Sequence, residues 1–231
     1  MSTGVSISCE HACADVPPNL IDCFLGHDKV LATHRAYDPG ALETARLLAG
    51  ALRIKTIHEG KFTRLLIDLN RSTHHRRVWS EFSPPPGDPR RTELLKAYRD
   101  YREKVERDAV KTLSLHDRVI HFGVHTFTPV WNGEPRPVDI GLLYDPARTR
   151  EKALCHRIRD ALRARYPRLR LRLNQPYQGK ADGLTTTLRR TLGPRYLGIE
   201  LELNHGPFFD DSPRWLTLRD SLIQALRDTL N

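Results

Sequence analysis

Short apolar runs suited to buried strands alternate with amphipathic helical stretches along the chain, and this alternation restricts the fold more than any other feature. The run from Val5 to Cys9 in "VSISCEHA" reads as a first strand, and Pro17 and Pro18 in the loop beyond it cannot continue regular pairing. In "YDPGALETARLLAGALR", Ala41, Leu42, Ala45, Leu48, Ala49 and Leu52 recur at helical spacing, with Asp38 positioned as a cap and Pro39 near the first turn. "RLLIDLNR" reads as a second strand, since its continuous apolar content suits a strand covered on both faces. After the rigid loop "FSPPPGDPR", a charged helix is expected over roughly 91–116, with Tyr98 and Tyr101 three apart on one side. Further strands are expected in "RVIHFGVHTFTPV", "DIGLLYD", "LRLRLN" and "YLGIELELN", with a basic helix ending near Tyr166 and a last helix from Pro213 to Leu230. The pattern predicts an α/β fold with helices on both faces of a sheet, as one domain over residues 1–231.

Charge narrows the partner. The chain carries 37 Lys+Arg against 28 Asp+Glu, a formal charge of +9, which favours an anionic partner ranging from nucleic acid to a small carboxylate. A nucleic-acid-binding α/β protein is therefore one reading, motivated by the arginines between Arg148 and Arg172. Such a surface interleaves basic residues with exposed aromatics, and this stretch offers chiefly Tyr166, so the arginines are better read as the wet face of a helix. No apolar run approaches the ~20 residues of a membrane span, and no basic-then-apolar leader opens the chain, which points to the cytoplasm. Cys9, Cys13, Cys23 and Cys155 form no CxxC pair; the Cys9/Cys13 spacing lacks the second half that a four-ligand zinc site needs.

Ligands of open α/β sheets bind beyond the carboxyl ends of the strands. The expected strands end in Glu10 and His11, in Asp68, Asn70 and Arg71, in His125 and Thr126, and in Glu202, Asn204 and His205. Singly, each has a plain structural reading: a rim histidine, a surface ion-pair arginine, an edge-strand glutamate. Brought together, they suit a metal-assisted hydrolase, which needs N/O ligands with an open position, a carboxylate base and often a cation for an anionic substrate.

The motifs carrying these residues resemble the N-formylglutamate amidohydrolases. The resemblance lies in "SCEHA" with "VP" (Ser8 to Pro17), "YDPGA" (Tyr37 to Ala41), "RLLIDLNR" (Arg64 to Arg71), "VHTFTPVWNG" (Val124 to Gly133), "DIGLLYD" (Asp139 to Asp145), "NQPYQG" with "DG" (Asn174 to Gly183) and "GIELELN" (Gly198 to Asn204). It implies a mixed, mostly parallel sheet, distantly similar to zinc carboxypeptidases, and a single Zn2+ held by His11 and His125. The carboxypeptidases take another ligand from a Glu three residues past the first His, where this chain has Ala14. Asp38 is the candidate third ligand, with Glu10 behind it, and the cap reading of Asp38 stands beside the ligand reading. The resemblance implies that Asn70 and Arg71 grip a substrate carboxylate, that Glu202 or its near neighbour Glu200 is the general base, and that Tyr177, Gly179 and Gly183 shape the pocket. The implied substrate is a small anionic N-acyl amino acid, with N-formyl-L-glutamate the leading example and a different N-acyl or peptide substrate as the alternative. Cys13 and Ala14 depart from the Gly and Asn usual at the family's opening.

Overall fold

In a computed structural model describing residues 2–209 and 212–230, the elements run in the order β1 (Thr3–Cys9), α1 (Ala41–Ala51), β2 (His58–Glu59), α2 (Arg90–Leu115), β3 (Arg118–Phe127), β4 (Val130–Trp131), β5 (Glu134–Pro135) and β6 (Ile140–Leu143). They continue with α3 (Thr149–Arg165), β7 (Leu171–Leu173), α4 (Leu184–Leu192), β8 (Tyr196–Asn204), α5 (Gly206–Phe209) and α6 (Pro213–Leu230). Six strands form one sheet in the order β2-β1-β3-β8-β6-β7. The β6–β8 pairing is antiparallel and the other four are parallel, so the sheet is mixed and mostly parallel.

The central strands follow a period of two. Ile7 and Cys9 of β1, Ile120, Phe122 and Val124 of β3, and Leu197, Ile199, Leu201 and Leu203 of β8 all point into one apolar core. There they meet Ala45 and Leu48 of α1, Leu154, Ile158 and Leu162 of α3, and Leu218, Leu222 and Leu226 of α6. Each fully buried Leu, Ile or Phe contributes roughly 1.5–3 kcal/mol, so this face carries most of the hydrophobic stabilisation. The opposite parity is polar yet also buried: Ser6 and Ser8, His121 and His125, Glu202 and Asn204. That face is roofed by α2 and α4, whose Val105, Ala109, Leu184 and Leu188 pack on Val119 and Tyr196, and by the loops before α2.

Two expectations are corrected. "RLLIDLNR" is not a strand; the neighbour of β1 at that edge is the two-residue β2. Its apolar side chains fill a separate cluster, in which Leu65, Leu66, Ile67 and Leu69 pack with Phe24, Val78, Phe82 and Tyr98. The backbone is satisfied locally, with Leu65 and Leu66 carbonyls accepting from the Ser80 and Ser83 hydroxyls and the Asp68 amide donating to the Val78 carbonyl. Asp38, likewise, does not cap α1 with its side chain. Gly40 is the N-cap residue, at φ 79°, where a Cβ would sit 2.3 Å from the Trp215 ring.

Candidate active site

The register of β3 on β8 sets Gly123 beside Glu200 and His125 beside Glu202, all on the polar face. On the far side of β8, Gly141 is level with Glu202; a Cβ there would lie 2.2 Å from the Gln175 carbonyl, so glycine is required. His11 leaves the end of β1, and its carbonyl accepts the Asp38 amide at 2.9 Å, tying the two loops together.

His11, Asp38 and His125 are all buried, and they offer ligand atoms lying within 4.8 Å of one another. Asp38 Oδ2 is 3.2 Å from His11 Nδ1 and 2.9 Å from His125 Nδ1. The far nitrogens are held by carboxylates: His11 Nε2 lies 2.8 Å from Asp68 Oδ1, and His125 Nε2 lies 3.0 Å from Glu10 Oε2. An ionised carboxylate is acceptor-only, so Asp68 and Glu10 each accept from the Nε2 they face, and Asp38 Oδ2 stands between the two Nδ1 atoms. Two imidazole nitrogens converging on one carboxylate oxygen are held together by positive charge, supplied either by ring protons or by a cation between them. The donor set of two imidazoles and a carboxylate, each imidazole backed by a carboxylate, fits a divalent metal such as zinc.

The carboxylates around the triad stay ionised. Burial works against the Asp38 charge, but His11, His125 and Arg64 outweigh it and hold the carboxyl below its usual range. Asp68 is also depressed against burial, by Arg64 and His11, and Glu10 falls to about 2 because its bonds with His125 and Ser8 overcome desolvation. Arg64 bridges Asp38 and Asp68 at 3.3 and 2.6 Å. Burial alone would lower the His125 pKa, yet Asp38 and Glu10 raise it well above normal; in the metal-free protein a proton supplies positive charge there. Glu10 also accepts from Tyr101 Oη at 2.9 Å, so it orients His125 from outside the triad.

Glu202 is the outlier. Its Oε2 is buried without a hydrogen-bond partner among the described residues, and burial, helped by the charges of Asp38 and Glu200, lifts its pKa to about 8. Glu200 is less enclosed and accepts from Thr185 Oγ1 at 3.1 Å. Both line a cavity of about 800 Å³ together with the triad, Asp68, Asn70, Arg71, Arg136, Tyr177 and His205.

Of the remaining expected residues, Asn70 and Arg71 stand in this cavity. The Asn70 Oδ1 takes the Leu184 amide at 2.8 Å, and Arg71 donates to the Asp182 carbonyl at 2.6 Å. Tyr177 is on the cavity wall. Gly183 adjoins Asn70, where a Cβ would stand 3.1 Å from Oδ1 and 3.3 Å from Glu200 Oε1. Gly179 is different: it packs on the β6 end, with a Cβ position 2.1 Å from the Tyr144 amide nitrogen, and does not line the cavity. Cys9 belongs to the apolar core and Cys13 reaches the Gly60 carbonyl at 3.6 Å; neither joins the triad, and all four cysteines are free. Sequence reasoning placed Asp68 among the strand-end residues and Tyr101 on a helix face without giving either a role, and it gave none to Arg64. The charged residues inside the apolar run "RLLIDLNR" were the available signal for Asp68 and Arg64.

The basic stretch forms α3, whose Leu154, Cys155, Ile158 and Leu162 are buried while Arg159 pairs with Asp160 and Arg165 with Asp228. Among the described residues no helix is long and apolar enough to cross a membrane.

Solved structures share this architecture. The gene product Atu2144 from Agrobacterium tumefaciens matches with a TM-score of 0.74 at 25% identity, over 98% of this chain and 90% of that one. An N-formylglutamate amidohydrolase from Ralstonia eutropha JMP134 matches in fold with a TM-score of 0.67 at 17% identity, over 99% and 93% of the two chains. Among the curated proteins, none matches the sequence. The family model for N-formylglutamate amidohydrolase covers residues 4–206, from the second residue of β1 to the turn that follows Glu202 and His205, and so takes in every residue of the buried cluster: the chain belongs to the N-formylglutamate amidohydrolase family.

Proposed function

We propose that the protein is a zinc-dependent amidohydrolase that cleaves the amide of a small anionic N-acyl amino acid, with N-formyl-L-glutamate, giving formate and L-glutamate, as the leading substrate. The convergence of His11, Asp38 and His125 beside the unpartnered Glu202 carboxylate carries this reading. Zinc held by those three residues supplies Lewis acidity when bound. Arg71, with Asn70 beside it, takes the substrate carboxylate as a two-pronged donor and aligns the amide. Glu202 holds its proton near neutrality in the metal-free site and would be ionised with a divalent cation beside it. As the carboxylate it accepts a proton from the attacking water as oxygen bonds to the amide carbon. It then returns that proton to the departing nitrogen as the C–N bond breaks. Glu200, engaged by Thr185, is the positioning neighbour rather than the base. The four free cysteines support a cytoplasmic location.

The test is metal analysis of the purified protein with a panel of N-acyl amino acids. About one zinc per chain and turnover of N-formyl-L-glutamate are expected. Absence of bound metal after zinc supplementation, or a zinc-loaded protein inert on the whole panel, would overturn the proposal. A separate outcome concerns the carboxylates behind the histidines: Asp68→Asn should weaken zinc binding about 10–100-fold, read by competition with a chelating dye. Unchanged affinity would remove Asp68 from the support of His11.

A further inference from the structure

The cavity wall holds arginines of two kinds. Arg35 and Arg64 are neutralised, the first by Glu81 and the second by Asp38 and Asp68. Arg71, Arg77 and Arg136 have no carboxylate partner among the described residues, and of these Arg136 is the one held by aromatic rings. Its guanidinium carbon lies 5.1 Å from the Trp131 ring centroid and 5.0 Å from that of Tyr177, and its Nη1 donates to Tyr177 Oη at 3.0 Å. Trp131 and Arg136 flank the turn of the β4–β5 hairpin. Its Asn132 and Gly133 both take positive φ, 51° and 81°, and the Arg136 amide donates to the Pro129 carbonyl at 2.7 Å.

Aromatic faces attract a guanidinium through the ring quadrupole without cancelling its charge. The two rings hold the guanidinium, and its one side-chain hydrogen bond among the described residues, to Tyr177 Oη, leaves further N–H donors that match a carboxylate. Trp131 and Tyr177 remain 45% and 41% exposed and Arg136 is half-buried, all three on the cavity wall, so the cation is within reach of a ligand rather than sealed within the protein. Tyr177 and Arg136 line the same cavity as Glu202 and the triad, which ties this clamp to the reacting centre.

We infer that Arg136 is a specificity-determining residue that receives a second carboxylate, the one on the side chain of the N-acyl amino acid, while Arg71 holds the α-carboxylate. The inference rests on the proposed amidohydrolase reading and makes the preferred substrates dicarboxylates.

The discriminating pair is N-formyl-L-glutamate and N-formyl-L-glutamine, nearly the same shape and one charge apart, assayed with zinc-loaded wild type, Arg136→Gln and Arg136→Lys. The ratio of kcat/KM for the acid over the amide should fall about 10–100-fold in Arg136→Gln, with Arg136→Lys between the two. A ratio that stays at the wild-type value, whatever happens to the absolute rates, means that Arg136 merely fastens the hairpin and overturns the inference while leaving the amidohydrolase intact. If wild type turns over neither compound, N-formyl-L-glutamate fails as the leading substrate. The inference is then read by calorimetric titration with glutarate and glutaramate. Tighter binding of glutarate that disappears in Arg136→Gln supports it, and equal or absent binding of the two overturns it.

Discussion

Glu202→Gln is expected to abolish hydrolysis and, in the metal-free protein, to raise stability. Loss of the proton acceptor should lower kcat by about 10²–10⁴-fold, since general acid–base catalysis contributes on that scale, while zinc remains bound because Glu202 is not one of the three converging ligands. The stability change follows from burial. The carboxyl titrates near 8 in the folded protein against 4.5 for the free group, so between those values the folded state holds the extra proton. Its contribution is therefore fully present below about pH 4.5 and is lost as pH rises toward 8. At alkaline pH an unpartnered carboxylate is held out of water, at a cost on the order of 5 kcal/mol. Glutamine resembles the protonated acid and removes that cost. Urea unfolding of both proteins in chelator should give matching midpoints near pH 4.5 and an increasing advantage for the variant up to pH 8. Equal pH profiles would show that Glu202 is not a destabilised carboxylate. Surviving activity, with Glu200→Gln inactive instead, would transfer the role of base to Glu200.

Asp38→Asn is expected to act in the opposite direction on stability and to remove the metal. Oδ2 of Asp38 is shared between two imidazoles while Oδ1 faces Arg64, so the amide would leave His11, His125 and Arg64 without their common negative charge. Breaking such a buried pair costs about 3–5 kcal/mol. Because one of three protein ligands becomes neutral, zinc affinity should fall by more than about 10³-fold, and with it the stabilisation that mass action provides when metal binds the folded state alone. Thermal unfolding with excess zinc and with chelator is the measurement. Wild type should show a clear upward shift with zinc and the variant almost none. A variant that keeps the wild-type shift would displace Asp38 from the ligand set.

Much of the sheet was legible because β1, β3 and β8 alternate in hydropathy, and their ends display the histidines and glutamates that later converge. "RLLIDLNR" misled for a physical reason: unbroken apolar content says that a segment is buried, not that its backbone pairs in a sheet, and here serine hydroxyls take the carbonyls that a neighbouring strand would have taken. The Asp38 signature for a cap failed because Gly40 opens α1 and frees the carboxylate for partners far along the chain. The outer support was the least readable. Asp68 meets His11 from 57 residues away and Tyr101 meets Glu10 from 91, separations that no local spacing encodes. The clamp on Arg136 was hidden in the same way, with one ring on its own hairpin and the other beyond α3.

The two faces of the central sheet have a genetic consequence. Core and chemistry are written in alternate letters of the same strands, Leu201 between Glu200 and Glu202, Val124 between Gly123 and His125. A slip of one residue in the pairing of β8 would exchange the sets, driving two glutamates into hydrocarbon and leucines into the cavity. A slip of two would restore each side chain to its face but move Glu202 off the level of His125. An insertion or deletion within β8 would therefore break this register, whereas one in a loop would leave it intact.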